Sequence, residues 1–120
     1  AQVIAQRATD IVRADVSWKD GITGTLKIAH LAEAFGLNCE IHTTTMNYMD
    51  MVNVHVSCAI KNCEFFEYFV PEKNYTLPMK GMLPIDENGI IHVPNAPGVG
   101  VELDWELIER ICCSHRVLEL

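Results

Sequence analysis

Positive charge is scarce in this sequence: nine Lys and Arg stand against sixteen Asp and Glu, and the formal net charge is −7. The basic residues form no cluster, and binding to a phosphate backbone depends on one, so composition argues against a nucleic-acid partner. Long apolar runs are missing as well. No stretch approaches the roughly 18 apolar residues of a membrane helix, and no charged-then-apolar leader opens the chain. The expectation is a cytoplasmic protein without a membrane partner. Cysteine is present five times, an odd number without the tight spacing of a disulfide framework. Cys39, Cys58, Cys63, Cys112 and Cys113 are therefore expected as reduced thiols. Internal repeats and low-complexity linkers are absent too.

What the chain does have is 120 residues, 49% of them hydrophobic, enough for one core of ordinary domain size. A complete (β/α)8 barrel takes roughly 250 residues, so any barrel made from this sequence is partial.

The pattern along the chain alternates. Residues 1–8 look like the tail of a helix, and 9–16 form a compact apolar run ending in charge, a buried-strand pattern. Gly21 to Gly24 make a turn with Thr23 as the candidate N-cap. A helix over about 25–35 follows, with Leu26, Ala29, Leu31, Ala32 and Phe35 inward and Gly36 as its left-handed stop. Leu37 to His42 read as a second strand, about 46–62 as a second helix, and 64–69 as a third strand ended by Val70-Pro71. Strand, helix, strand, helix, strand with short connections implies parallel strands and right-handed crossovers. The remainder differs. An Asn88-Gly89 pair between Leu83-Pro84-Ile85 and Ile90-Ile91-His92-Val93 signals a hairpin. Residues 94–100 are turn-rich, and Asp104 caps a last helix through about Cys112. The expected division is a partial barrel over 1–77 and a C-terminal segment over 78–120.

Asp15, His42 and Glu67 each stand at the carboxyl end of an apolar strand. Parallel neighbours would bring them to one rim, where ligands bind in sheets of this kind. A carboxylate bonded to an imidazole fixes its tautomer and raises its basicity, which suits proton transfer near neutral pH. Glu67 could orient a substrate or donate a proton, and Thr43, Thr44 and Thr45 could offer hydroxyls to a polyhydroxylated one. Each residue also has a plainer role open to it: His42 as a hydrogen-bonded strand end, Asp15 as a turn cap, Glu67 as a solvated charge. Glu40 shares the His42 face and could line a barrel or pair with a lysine. His55, Cys58 and Cys63 suggest zinc at first sight, without an evident fourth ligand. Cys112, Cys113 and His115 are a thiol-rich spot near the terminus.

Asp15 followed by Lys19-Asp20-Gly21-Ile22-Thr23-Gly24, a helix ending Ala34-Phe35-Gly36-Leu37, and then Glu40-Ile41-His42 resembles the sixth and seventh barrel strands of the enolase superfamily. More narrowly the sequence resembles the mandelate racemase subgroup, which includes the acid-sugar dehydratases. Phe66-Glu67 is similar to that subgroup's eighth strand, and Ala96-Pro97-Gly98-Val99-Gly100-Val101 to its late Pro-Gly-x-Gly segment. The resemblance implies an α/β fold that is the C-terminal part, strands six to eight, of a (β/α)8 TIM barrel, with a returning hairpin and helix. It implies a catalytic dyad of His42, as base or acid, and Asp15, as its orienter, with Glu67 bonding the carboxylate or enediolate of a small hydroxy-carboxylate. The implied chemistry is a Mg²⁺-dependent lyase reaction, α-proton abstraction followed by loss of water; the racemases of the subgroup instead reprotonate the carbon. The family's three metal carboxylates and its second lysine base have no match here. Mg²⁺ ligands are therefore expected outside this sequence, and the isolated chain is expected to be inactive. Expected partners are the rest of the barrel, a capping domain and further copies of the same chain. A partial-barrel scaffold that pairs its open edges with another chain, and a thiol-based metal module, are the rival readings.

Overall fold

The computed structural model describes residues 1–19, 21–43, 48–68, 78–80 and 83–117. Its centre is a parallel pair of strands, β1 (Ile11–Ala14) and β2 (Asn38–Ile41), in the register Ile11 to Asn38 through Ala14 to Ile41. A short helix α1 (Gln2–Ala5) precedes β1, and α2 (Gly21–Ala34) makes the crossover between the strands. The third helix, α3 (Tyr48–Ala59), follows β2. Both long helices cover one face of the strand pair. Cys39 and Ile41 from β2 and Ala14 from β1 are buried there with Ala29 and Ala32 of α2 and Val52 and Val56 of α3. The other face carries Ile11, Arg13 and Glu40, and Ile11 is 48% exposed. Period-2 alternation thus splits β1 into a covered and an open side. The strand expected over 9–16 is shorter and only half covered.

The crossover helix starts at Gly21, four residues before its expected start, so Thr23 lies in its first turn and not at its cap. A glycine in a helix costs only about 1 kcal/mol relative to alanine, and Gly24 is carried by the packing that follows it. Thr25, Ala29 and Ala32 are the fully buried positions, spaced so that small side chains let the helix lie close to the strands. Leu26 and Leu31 pack at the edges of this contact. Phe35, expected inward, is 38% exposed because the helix ends at Ala34. The stop itself is the expected one. Gly36 has φ +66°, Leu37 N donates to Ala32 O at 2.9 Å, and Gly36 N donates to Glu33 O at 2.9 Å. This pair of bonds is a Schellman ending, and it turns the chain directly into β2.

Helix α3 ends at Ala59, before the expected 62, and residues 46 and 47 of the expected helix lie outside the described residues. Asn62 draws the chain out of the helix: its Nδ2 donates to Ala29 O at 3.1 Å and Leu37 O at 2.9 Å, and its carbonyl accepts from Cys39 N at 2.7 Å. The third strand expected over 64–69 is reduced, among the described residues, to one parallel bridge between Ile41 and Phe66. Side chains take over the ladder's role there. Glu40 accepts from Phe65 N at 2.9 Å and Glu64 N at 3.2 Å, which ties the segment to β2 and fixes Glu40 as a backbone clamp and not a lysine partner.

The C-terminal segment returns over α3. Its strands β3 (Met79–Lys80) and β4 (Glu102–Leu103) pair antiparallel, and α4 (Trp105–Ile111) begins where Asp104 accepts from Leu107 N at 2.9 Å, the expected cap. A second apolar cluster joins Met51 and Val54 of α3 to Leu83, flanked by Phe66, Ile91, Val93 and Val99. The hairpin at 83–93 forms, but by a different turn from the two-residue one that Asn-Gly suggests. Gly89 N donates to Asp86 O at 3.0 Å and Asp86 N to Ile90 O at 2.9 Å, so the loop has three residues and only Gly89 has positive φ. The Asp86 carboxylate decides this: its Oδ1 accepts from Ile90 N, its Oδ2 faces His92 Nε2, its Oδ1 also accepts from Asn88 N, and these bonds hold Asp86 below the usual carboxylate range. In the Pro-Gly-x-Gly segment, Gly100 has φ +75° and a Cβ there would lie 2.5 Å from Pro94 Cγ. Only glycine fits.

Gly36→Ala is expected to destabilise the chain by about 1 kcal/mol, the cost of a side chain in the left-handed region. Chemical denaturation of the two chains checks this; equal midpoints would contradict it.

Candidate functional site

The site follows from the strand register. Ala14, Ile41 and Phe66 lie side by side in one parallel rank, so the next residue of each segment, Asp15, His42 and Glu67, emerges at the same carboxyl-end rim. The last backbone bond of the rank, His42 N to Ala14 O at 2.9 Å, fixes the height of His42 relative to Asp15. All three residues expected at one rim are brought together.

Asp15 is buried and its two oxygens have separate tasks. Oδ1 accepts from Ser17 N at 2.7 Å and Trp18 N at 2.8 Å, closing the loop after β1, and Oδ2 lies 2.9 Å from His42 Nδ1. The turn-cap role and the imidazole-orienting role are thus both filled, one by each oxygen. A carboxylate accepts only, so the bond to Oδ2 puts the ring hydrogen on Nδ1 and leaves the Nε2 lone pair directed away from Asp15. Nε2 stands 3.9 Å from Glu67 Oε2. The His42 side chain is 30% exposed against 3% for Asp15, the arrangement of an accessible ring on a fixed support.

Glu67 is held from two sides. Oε2 accepts from Thr43 N at 3.0 Å and pairs with the Arg13 guanidinium at 2.5 Å. Thr43 departs from expectation. Its hydroxyl, expected to meet a substrate, is fully buried and donates to Glu67 O at 3.0 Å, because the backbone of the Glu67 segment lacks a continuous ladder and takes this side-chain bond in its place. Thr44 and Thr45 lie outside the described residues.

Further side chains, which the sequence does not single out, complete the surroundings. The Trp18 ring stands 5.3 Å from the His42 ring at an angle of 43°, and is 70% exposed. Arg13, Ala14, Asp15, Trp18, Lys19 and His42 line an open cavity of about 230 Å³. Behind the rim, Asn53 of α3 is fully buried and bonds Val16 N, His42 O and Asp50 Oδ1. The sequence signal for Asn53 is a polar residue among Val52, Val54 and Val56 on a helix turned toward the core.

Among the described residues no group of three or more His, Cys, Asp and Glu side chains could hold a metal ion. Asp15 and Glu67 are committed to His42, Arg13 and backbone amides, so the rim does not fit a Mg²⁺ site of its own. The zinc reading finds no support either: His55 Nε2 lies 3.2 Å from Val99 O, Cys58 is exposed, and Cys63 bonds Glu40. Burial, with Cys63 and Glu40 nearby, pushes the Cys39 thiol up to about 11, and burial likewise raises Cys63. Burial thus disfavours the thiolate, the nucleophilic form, at both positions. No helix among the described residues is long and apolar enough to cross a membrane.

The sequence pattern described as enolase C-terminal domain-like matches residues 1–107. L-rhamnonate dehydratase of Saccharopolyspora erythraea is 32% identical over 113 residues, covering 88% of this chain and 27% of the relative. The crystal structure of D-glucarate dehydratase from Agrobacterium tumefaciens, complexed with magnesium, superposes with a TM-score of 0.76 at 36% identity, over 91% of this chain and 29% of that one. An enolase of the mandelate racemase subgroup from Agrobacterium tumefaciens superposes with a TM-score of 0.76 at 27% identity, over 91% and 29% of the two chains. The chain spans less than a third of the length of each. It belongs to the enolase C-terminal domain-like family and, within the enolase superfamily, is similar to the mandelate racemase subgroup and its acid-sugar dehydratases.

Proposed function

We propose that this chain is the C-terminal catalytic portion, barrel strands six to eight, of an acid-sugar dehydratase. The observation that carries the reading is the Asp15 carboxylate, fixed by two backbone amides, bonded to His42 Nδ1 at 2.9 Å with Nε2 left open at the rim. The substrate is a small hydroxy-carboxylate. The similarity to dehydratases named for rhamnonate and glucarate supports that choice over a racemase, whose first step would be the same.

In this mechanism His42 Nε2 takes the proton α to the carboxylate, and the electron pair of the broken C–H bond moves into the carboxylate as an enediolate. The imidazolium so formed shares its Nδ1 hydrogen with Asp15, whose negative charge stabilises it. His42 then returns its proton to the departing hydroxyl on the adjacent carbon, releasing water. The resulting enol becomes a 2-keto-3-deoxy acid. Glu67, held by Arg13 and Thr43 N, sits on the far side of Nε2 and orients the substrate end next to the transferred proton. Thr44 is kept as a candidate hydroxyl for the polyol chain.

Mg²⁺, which the superfamily likeness suggests, would need carboxylates from outside these 120 residues, and no step above is routed through it. The open face with Ile11 and Arg13 is assigned to the remaining barrel strands, and residues 78–120 to contact with a capping domain. The complete enzyme is read as a cytoplasmic homo-oligomer, and the isolated chain as inactive.

In the complete enzyme His42→Asn is expected to lower turnover by about 10²–10⁴-fold, the usual contribution of a general base, with folding unchanged by circular dichroism; full activity would remove His42 from the mechanism. Asp15→Asn is expected to keep the loop, because its Oδ1 still accepts from Ser17 N and Trp18 N. Its amide would donate to His42 Nδ1, moving the ring hydrogen to Nε2 and closing the base. Turnover should fall by roughly 10² or more while Mg²⁺ affinity is unaltered; loss of Mg²⁺ binding would recast Asp15 as a ligand.

A further inference from the structure

We infer that Asn53 is a positioning residue for the His42 and Asp15 pair, its side-chain amide prolonging the β1 and β2 ladder past the point where the strands stop bonding each other. The last backbone bond between them is His42 N to Ala14 O. Beyond it the Asn53 carboxamide is inserted between the two chains. Oδ1 accepts from Val16 N at 3.0 Å, and Nδ2 donates to His42 O at 3.1 Å. Val16 follows Asp15, and the carbonyl is that of His42 itself, so one planar group grips the peptide units beside both members of the pair.

The second Nδ2 hydrogen goes to Asp50 Oδ1 at 3.2 Å, one turn earlier on α3. With one acceptor and two donors in use, the amide has a single workable orientation: reversed, it would set N–H against N–H and C=O against C=O. Asn53 and Asp50 are both fully buried, so water cannot substitute for either. The consequence for chemistry is geometric. The bond from His42 Nδ1 to Asp15 needs good alignment, and a displacement of about 1 Å at a reacting group can cost 10²-fold in rate. The bonds of Asn53 toward the pair go to the backbone, Val16 N and His42 O, and it acts through the backbone that carries the ring and the Asp15 carboxylate.

The functional meaning of this role rests on His42 being the base, but its test needs no turnover. In the complete enzyme, the Nδ1-bound hydrogen of His42 is followed by ring nitrogen-proton correlation spectra. Asn53→Ala is expected to lose that signal, while Val56→Ala, which trims the buried core on the same helix, keeps it. A folded Asn53→Ala chain that retains the signal overturns the inference, as does its loss in both variants, which would mean general loosening. If Asn53→Ala does not fold, the unmodified enzyme decides. Scalar couplings across Val16 N–H to Asn53 Oδ1 and across Asn53 Nδ2–H to His42 O support the role, and their absence overturns it. Failure of dehydratase assays with the ring result intact would remove the proposed reaction and leave the positioning role.

Discussion

The hydrogen bond between the buried Asp15 carboxylate and His42 Nδ1 is the interaction on which the rest of this rim depends. It needs Asp15 out of water, which the loop amides of Ser17 and Trp18 make affordable by occupying its other oxygen. It also needs β1 and β2 in one register, because a slip of one residue would turn His42 to the helix face. Above the strands Asn53 secures that register by bonding both Val16 N and His42 O, while below them Asn62 ties β2 to α2 through Ala29 O, Leu37 O and Cys39 N. Two buried asparagines thus stand at the two ends of a ladder of four residue pairs.

The sequence made legible those features that rest on local chemistry. Gly36 stops α2 because the left-handed position favours glycine, and Asp104 caps α4 because a carboxylate meets free helix donors. The strand-end rank of Asp15, His42 and Glu67 was legible for the same reason, since alternation along each strand fixes its face. What was not legible depends on partners distant in sequence. The bonds from Glu40 to the amides of Glu64 and Phe65, 24 and 25 residues away, replace a ladder that propensity alone would extend. The Thr43 hydroxyl turns inward because Glu67 O, 24 residues on, needs a donor. The hairpin turn is the local exception: Asp86 captures Asn88 N and Ile90 N, only two and four residues on, and so selects a three-residue turn in competition with the one that the Asn-Gly pair favours.

One side of the strand pair is a packed core and the other is open, and this asymmetry bears directly on function. Phe65 is 73% exposed and Ile11 48%, apolar side chains on the face that also carries Arg13, Glu40 and Glu67. The relatives are more than three times as long as this chain's matching part. In the proposed enzyme the open face becomes the inside of a closed barrel, and the ion pair of Arg13 and Glu67 passes from solvent to a more enclosed setting. Electrostatic contacts strengthen as water is excluded, so the hold of Arg13 on Glu67 should tighten on assembly.

The most direct test of the central claim follows the α hydrogen itself. An acid sugar carrying deuterium at C2 is converted by the complete enzyme in ordinary water, and the label is traced by mass spectrometry and NMR. Proton abstraction by an imidazole that exchanges with solvent predicts that deuterium leaves the carbon skeleton and appears in water. Deuterium retained at C2, or carried as hydride to the neighbouring carbon of the product, would contradict the account.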